Sequence, residues 1–312
     1  MKQTMNKDFL DIFNKIDFGR LTEHPNILIA AAFWDEERFK AAKICYKYMR
    51  AIDDLIDNHK SLHIRIAEIE RKQFMDDVRT WISIVHGLEN NNAVNSELHE
   101  TIKKFHIPLW PLEAFANSMI YDINHSGFKT LHDFFEYSQG AAVAPASIFV
   151  HLSGLKEQNG EFVPPDFDVK TAATSCALFS YIVHIIRDFQ KDQQNNLNYF
   201  AEEIMHKNSL SVLELRKIAD GSSIPAGFRN MIREYYDLAE QYRQHTFKVI
   251  QDIWPSLGPR YRLSLQIVFN LYLMIFERIN IENGKFTAEE LNPAPGTIKK
   301  RIYETIVNFG QS

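Results

Sequence analysis

Apolar side chains recur every three to four residues along most of the chain, with almost no strict alternation. From Asp35 to Asp57 neither Gly nor Pro interrupts, and Phe39, Ala42, Cys45, Tyr46, Met49, Ile52 and Ile56 fall at helical spacing. Asp35, followed by Glu36 and Glu37, supplies an N-cap and an acidic first turn that suits the helix dipole. The same periodicity predicts helices near 62–87, 111–123, 130–153, 168–190, 226–253 and 259–282, with Thr130 and Asp133 spaced as a capping box. Breaks fall at 157–167, 220–227, 254–259 and 292–296, short connections rich in Gly, Pro, Asn and Ser. No internal repeat or low-complexity tract is present. The pattern predicts one all-α domain over residues 1–312, a helical bundle.

Composition narrows the classes. A 312-residue chain with 45% hydrophobic and 24% charged residues builds a sizeable core and is not intrinsically disordered. A net charge of -5 argues against a nucleic-acid partner. Cys45 and Cys176 are too few for a disulfide framework or a cysteine zinc cluster. The start, MKQTMNKDFLDIF, lacks the apolar core of a secretory signal, and the apolar runs near 148–155 and 176–186 are shorter than the ~20 residues of a membrane span. The expectation is a cytoplasmic protein, at most in transient peripheral contact with a membrane.

The chemistry concentrates in two segments. In YKYMRAIDDLID, residues 46–57, Asp53 and Asp57 are four apart and share a helix face, with Asp54 beside them and Arg50 one turn earlier. In SYIVHIIRDFQKD, residues 180–192, Asp188 and Asp192 repeat that spacing after an apolar helix, Arg187 precedes Asp188, and His184 extends the stripe by one turn. A solvated acidic helix end explains either segment alone, although carboxylates at a helix C-terminus oppose the dipole. Two such segments facing each other would form an oxygen-rich cluster suited to Mg²⁺, which favours substrate phosphates as further ligands. No glycine-rich phosphate loop, Walker pattern or G-x-S-x-G elbow is present, so metal and arginine would hold the phosphate. His59 and His63 read as part of a surface turn. In an aromatic-lined bundle, a metal-bridged diphosphate can leave an allylic carbon, and aromatic faces stabilise the resulting cation; 23 Phe and 12 Tyr suffice for such a lining.

These motifs resemble those of the squalene/phytoene synthase family. The Y-x-x-x-R-x-x-D-D-x-x-D motif is matched by Tyr46, Arg50, Asp53, Asp54 and Asp57. The second motif, R-D-x-x-x-D with a following tyrosine, is matched by Arg187, Asp188, Asp192 and Tyr199. Between them a Y-x-x-G-x-A helix is matched by Tyr137, Gly140 and Ala142, and Tyr272 resembles the tyrosine of a late helix. The resemblance runs from roughly residue 20 to 282. It implies an isoprenoid-synthase-like bundle around a central cavity, a farnesyl or geranylgeranyl diphosphate substrate, and Mg²⁺ on the aspartates. Arg50 and Arg187 would neutralise phosphate oxygens, and the tyrosines, Gly140 and Ala142 would line the reacting region. NADPH serves some members, but no dinucleotide fingerprint calls for it here.

The departures are His184 for a metal-binding asparagine, Leu197 for an arginine, Ala201 for a proline, and Pro145-Ala146 for V-G. His24 and Asn26 stand where serine-rich phosphate contacts are expected, and Glu289 or Glu290 where a late basic residue is expected. Several remove positive charge. Three readings follow: head-to-head coupling of two prenyl diphosphates, an enzyme using one prenyl diphosphate for cyclisation or transfer, and a non-catalytic relative. Small residues such as Ala142 leave room for a prenyl tail or serve close helix packing, and Tyr272 is otherwise a core tyrosine.

Overall fold

The computed structural model describes residues 2–18, 26–63, 66–88 and 93–310. His24 lies outside them. The helices in chain order are α1 (Lys2–Phe13), α2 (Asn26–Ala31), α3 (Glu36–Leu62), α4 (Glu68–Val85), α5 (Ala93–Lys104), α6 (Trp110–Asn124), α7 (Leu131–Ser138) and α8 (Ala144–Gly154). After a short antiparallel hairpin, β1 (Lys156–Gln158) and β2 (Glu161–Val163), come α9 (Val169–Arg187), α10 (Phe189–Gln194), α11 (Glu202–Lys207) and α12 (Val212–Ala219). The chain finishes with α13 (Ala226–Ile253), α14 (Pro259–Phe276), α15 (Ala288–Leu291) and α16 (Pro295–Asn308). Apart from the hairpin, regular structure among the described residues is helical, as the periodicity predicts.

Local chemistry explains the boundaries. Asp35 caps α3 by accepting from the Arg38 amide at 3.0 Å. Thr130 and Asp133 form the reciprocal box at α7, and Asp168 caps α9 through the Thr171 amide. The predicted 130–153 helix is α7 and α8 joined by a π-helical turn, Gln139–Val143. The predicted 62–87 helix starts later, because α3 itself runs on to Leu62. His59 therefore sits in the last turn of α3 rather than in a surface turn, its ring stacked on that of His63 at 4.6 Å. The predicted 259–282 helix ends at Phe276.

Helix α9 is the axis of the bundle, packed by α8, α13 and α14. Its Phe179, Ile182, Val183, Ile185 and Ile186 are all at most 1% exposed. Burial of such side chains contributes about 1.5–3 kcal/mol each. At 19 residues and a mean hydropathy of 1.4, α9 is long and apolar enough to cross a membrane by length and composition. The sequence reading undercounted this run because small Ala, Ser and Thr residues extend it. Half of that stretch is buried inside the bundle. The apolar core forms two large clusters, one around α3, α6 and α8 and the other around α9 and α13. Tyr272 packs against both.

Gly140 shows how tightly the π-helical turn is set against α6. A Cβ at Gly140 would overlap the Ala114 carbonyl oxygen and Ser118 Oγ. Its demonstrated contact is thus backbone packing against α6. Gly140→Ala should cost about 1–3 kcal/mol in a urea unfolding titration. Gly296→Ala, which meets open space, should leave stability unchanged or slightly raised.

Candidate active site

The 46/50/53/57 spacing places Tyr46, Arg50, Asp53 and Asp57 along one side of α3, while Cys45, Met49, Ile52 and Ile56 bury the other. Arg50 is bonded to both Asp53 and Asp54. Asp54 is half exposed on the outer edge of this stripe, whereas Asp53 and Asp57 turn inward. Burial raises the Asp53 carboxyl, with the Asp122 charge adding to it and Arg50 opposing. Burial, then the charges of Asp53 and Asp122, push Asp57 up to about 7.

The second motif spans the junction of α9 and α10. Asp188 caps the junction, yet the Asp192 amide still donates to its carbonyl at 2.8 Å, so the 184/188/192 stripe survives the break. Arg187 donates through Nε to Asp188 Oδ1 and through Nη2 to Oδ2, both at 2.7 Å. His184 Nε2 lies 3.0 Å from Asp188 Oδ2, and its Nδ1 accepts from Arg187 Nη2 at 3.0 Å. Because arginine only donates, these two contacts fit the neutral Nε2–H tautomer. Burial alone would raise the Asp188 carboxyl, but His184 and Arg187 hold it well below the ordinary carboxylate range. Asp192 behaves oppositely: burial, then the Asp188 and Asp57 charges, push it up to about 8.

The ends of the two motif segments lie side by side, Asn196 Nδ2 donating to the Ser61 carbonyl at 3.2 Å, and the Asp57 charge acts on Asp192. Tyrosines stand between them. Tyr137 is buried and Tyr181 and Tyr199 half-buried; all three phenols are raised by desolvation first and then by neighbouring charged groups, so they stay neutral near pH 7. Tyr181 connects them, its ring centroid 6.4 Å from each of Tyr137, Tyr199 and His184. Tyr272 lies within electrostatic reach of Arg187, Asp188 and Tyr46. Ala142 sits apart from the acids, against a small apolar cluster of Val143, Ala177 and Leu178.

Three contributors escaped the sequence reading. Asp122, on α6, is 7% exposed; its Oδ1 accepts from Lys60 Nζ at 2.9 Å and its Oδ2 from the Tyr137 hydroxyl at 2.6 Å. A lone acid in an apolar helix and a lysine after the first motif carry no pattern, and Tyr181 is one aromatic among many. Of the departures, Leu197 is buried, and the Ala201 amide donates to the Tyr235 hydroxyl. Glu290 Oε2 accepts from the Lys285 and Phe286 amides, a loop-closing contact. Among the described residues no three His, Cys, Asp or Glu side chains form a ready ion cage. Cavities of about 520 Å³ beside Trp110 and His151, and about 300 Å³ beside Gln190 and Arg229, lie away from the acidic cluster.

Residues 23–295 match the squalene/phytoene synthase family. The chain is 20% identical to the chloroplastic phytoene synthase of Narcissus pseudonarcissus over 178 residues, 56% of this chain and 39% of that protein. It thus spans about two fifths of the length of that curated relative. A dehydrosqualene synthase crystallised with a ligand superposes with a TM-score of 0.69 at 15% identity, covering 99% of this chain and 98% of that one. Squalene synthase HpnC from Alicyclobacillus acidocaldarius gives 0.54 at 12% identity, covering 77% and 93%. At these identities the structural likeness speaks for the fold, the all-α isoprenoid synthase bundle. The family match covers most of the chain: this protein belongs to the squalene/phytoene synthase family.

Proposed function

We propose that the chain is a Mg²⁺-dependent prenyltransferase. It ionises an allylic prenyl diphosphate such as farnesyl or geranylgeranyl diphosphate and couples it head-to-head with a second. The observation that carries this reading is that the two motif ends lie side by side, Asn196 donating to the Ser61 carbonyl at 3.2 Å, with Asp57 and Asp192 both acting on the half-buried Tyr199. Both carboxyls are held partly protonated near neutral pH by burial and like charge, the state that a divalent cation relieves. Their all-oxygen donor set, with Asp53, fits a hard ion. Mg²⁺ takes its remaining ligands from substrate phosphates and water, so a few carboxylates suffice to hold it. When bound, Mg²⁺ supplies Lewis acidity toward the departing diphosphate.

The chain's own residues do the rest. Arg50 and Arg187 offer guanidinium forks matched to phosphate oxygens once they release Asp53, Asp54 and Asp188. The faces of Tyr137, Tyr181, Tyr199 and Tyr272 stabilise an allylic cation and leave little room for water. Asp188 is already paired with the Arg187 guanidinium, and His184 serves as a further hydrogen-bond partner. A second reading, an enzyme consuming one prenyl diphosphate, draws support from the same fact: the two arginines are paired internally, leaving little spare charge for two diphosphates.

With Mg²⁺ and farnesyl or geranylgeranyl diphosphate, with and without NADPH, the protein should release inorganic diphosphate. Mass spectrometry should find two diphosphates released per product chain for coupling; one per product would select the second reading. Asp53→Asn should lower turnover at least about 100-fold with the helical circular dichroism unchanged. Undiminished turnover would remove the metal assignment.

A pH measurement tests the acids separately. Asp57 and Asp192 have folded values near 7 and 8 against an ordinary 3.8, so the folded state holds their protons more tightly. The metal-free protein should therefore lose stability as pH rises from about 4 to about 8. Asp188, with its depressed value, adds a loss only on acidification below the ordinary carboxylate range. Thermal melts should show a lower Tm at pH 8 than at pH 6, and a larger Tm gain from added Mg²⁺ at pH 8. A pH-independent Mg²⁺ effect would count against ion binding at these two carboxylates.

A further inference from the structure

Among the described residues Arg50, Arg187 and Lys60 each hydrogen-bond a carboxylate of the acidic seam. Arg50 bonds Asp53 and Asp54 on one helix, and Arg187 bonds Asp188 and His184 on another. Lys60, one turn beyond Asp57 at the end of α3, instead reaches across to α6. Its ammonium donates to Asp122 Oδ1 at 2.9 Å and makes a long contact of 3.4 Å to the His125 carbonyl. An ammonium has three hydrogens, so one donor has no protein partner among the described residues. The side chain is only 13% exposed, and its charge acts on Asp53 and Asp57 as well as on Asp122. A lysine that served only to tie α3 to α6 would need Asp122 alone, and a surface position would desolvate it less. Asp122 is itself held, since its other oxygen accepts from the Tyr137 hydroxyl at 2.6 Å. The Tyr137–Asp122–Lys60 chain thus fixes an ammonium beside the inward carboxylates with donor capacity to spare.

We propose that Lys60 binds the diphosphate of the prenyl substrate, positioned for it by Asp122 and Tyr137. This rests on the function proposed above and names a substrate-binding residue for it. The ammonium would accompany the metal as a cation that needs no loading, holding diphosphate oxygens through charge-assisted hydrogen bonds.

The test is calorimetric binding of inorganic diphosphate with Mg²⁺ to the full chain, with steady-state kinetics in parallel. Lys60→Gln should weaken diphosphate binding about tenfold or more and raise KM more than it lowers kcat, while Lys60→Arg should largely restore both. Should Lys60→Gln unfold because Asp122 is left buried and unpaired, Lys60→Gln with Asp122→Asn removes both charges. Loss of the Asp122 carboxylate by itself would favour an anion, so weaker binding in the double variant comes from the lysine. Wild-type affinity in a folded Lys60→Gln or double variant, even with a lowered Tm, would leave Lys60 a structural tie and overturn the proposal. If the wild-type protein bound no diphosphate with Mg²⁺, the prenyltransferase reading itself would fall, an outcome distinct from the loss of Lys60 alone.

Discussion

The structure depends on keeping five carboxylates, Asp53, Asp57, Asp122, Asp188 and Asp192, in a seam between two apolar cores. Like charges out of water repel strongly, and burial penalises each one further. The chain answers unevenly. Asp188 is paired with an arginine fork and accepts from an imidazole, and Asp122 is paired with a lysine and accepts from a phenol. Asp57 and Asp192 have no such direct partner among the described residues, and burial with like charge favours their protonated forms.

Packing holds the acids in place against their repulsion. Helix α9 is clamped by α8, α13 and α14 through fully buried Ile, Val and Phe side chains, so the junction carrying Asp188 and Asp192 cannot swing away. On the other side, α6 is locked to the π-helical turn by the missing Cβ of Gly140 and by the Ser118 hydroxyl, which donates to the Tyr137 carbonyl at 2.7 Å. The same contact sets the height of Tyr137, whose hydroxyl reaches Asp122. Apolar packing and the polar seam are therefore one construction: a shift of α6 by a methyl group would displace both.

Much of the fold was legible because helical period and breakers are local. The cap at Asp35, the box at Thr130 and Asp133, and the long helices are all written in adjacent residues. Boundaries went astray where tertiary contacts extended or stopped a helix, as in the last turn of α3 at His59 and the early end of α14 at Phe276. Short helices such as α11 and α12 were missed, since six to eight residues carry too little periodicity to stand out.

The sequence by itself determined an all-α chain, two acidic stripes each beside an arginine, and the family those stripes announce. These are properties of spacing along one helix, where three or four residues guarantee a shared face. Only the tertiary structure decided which carboxylates meet, that Asp54 faces outward, that His184 and Arg187 occupy Asp188, and that Asp122, Lys60 and Tyr181 join them. Those relations join residues far apart in the chain, such as Lys60 on α3 with Asp122 on α6, or Asp57 with Asp192. Such proximity is set by how helices pack and by which side each turns inward, and no spacing within a single helix encodes it.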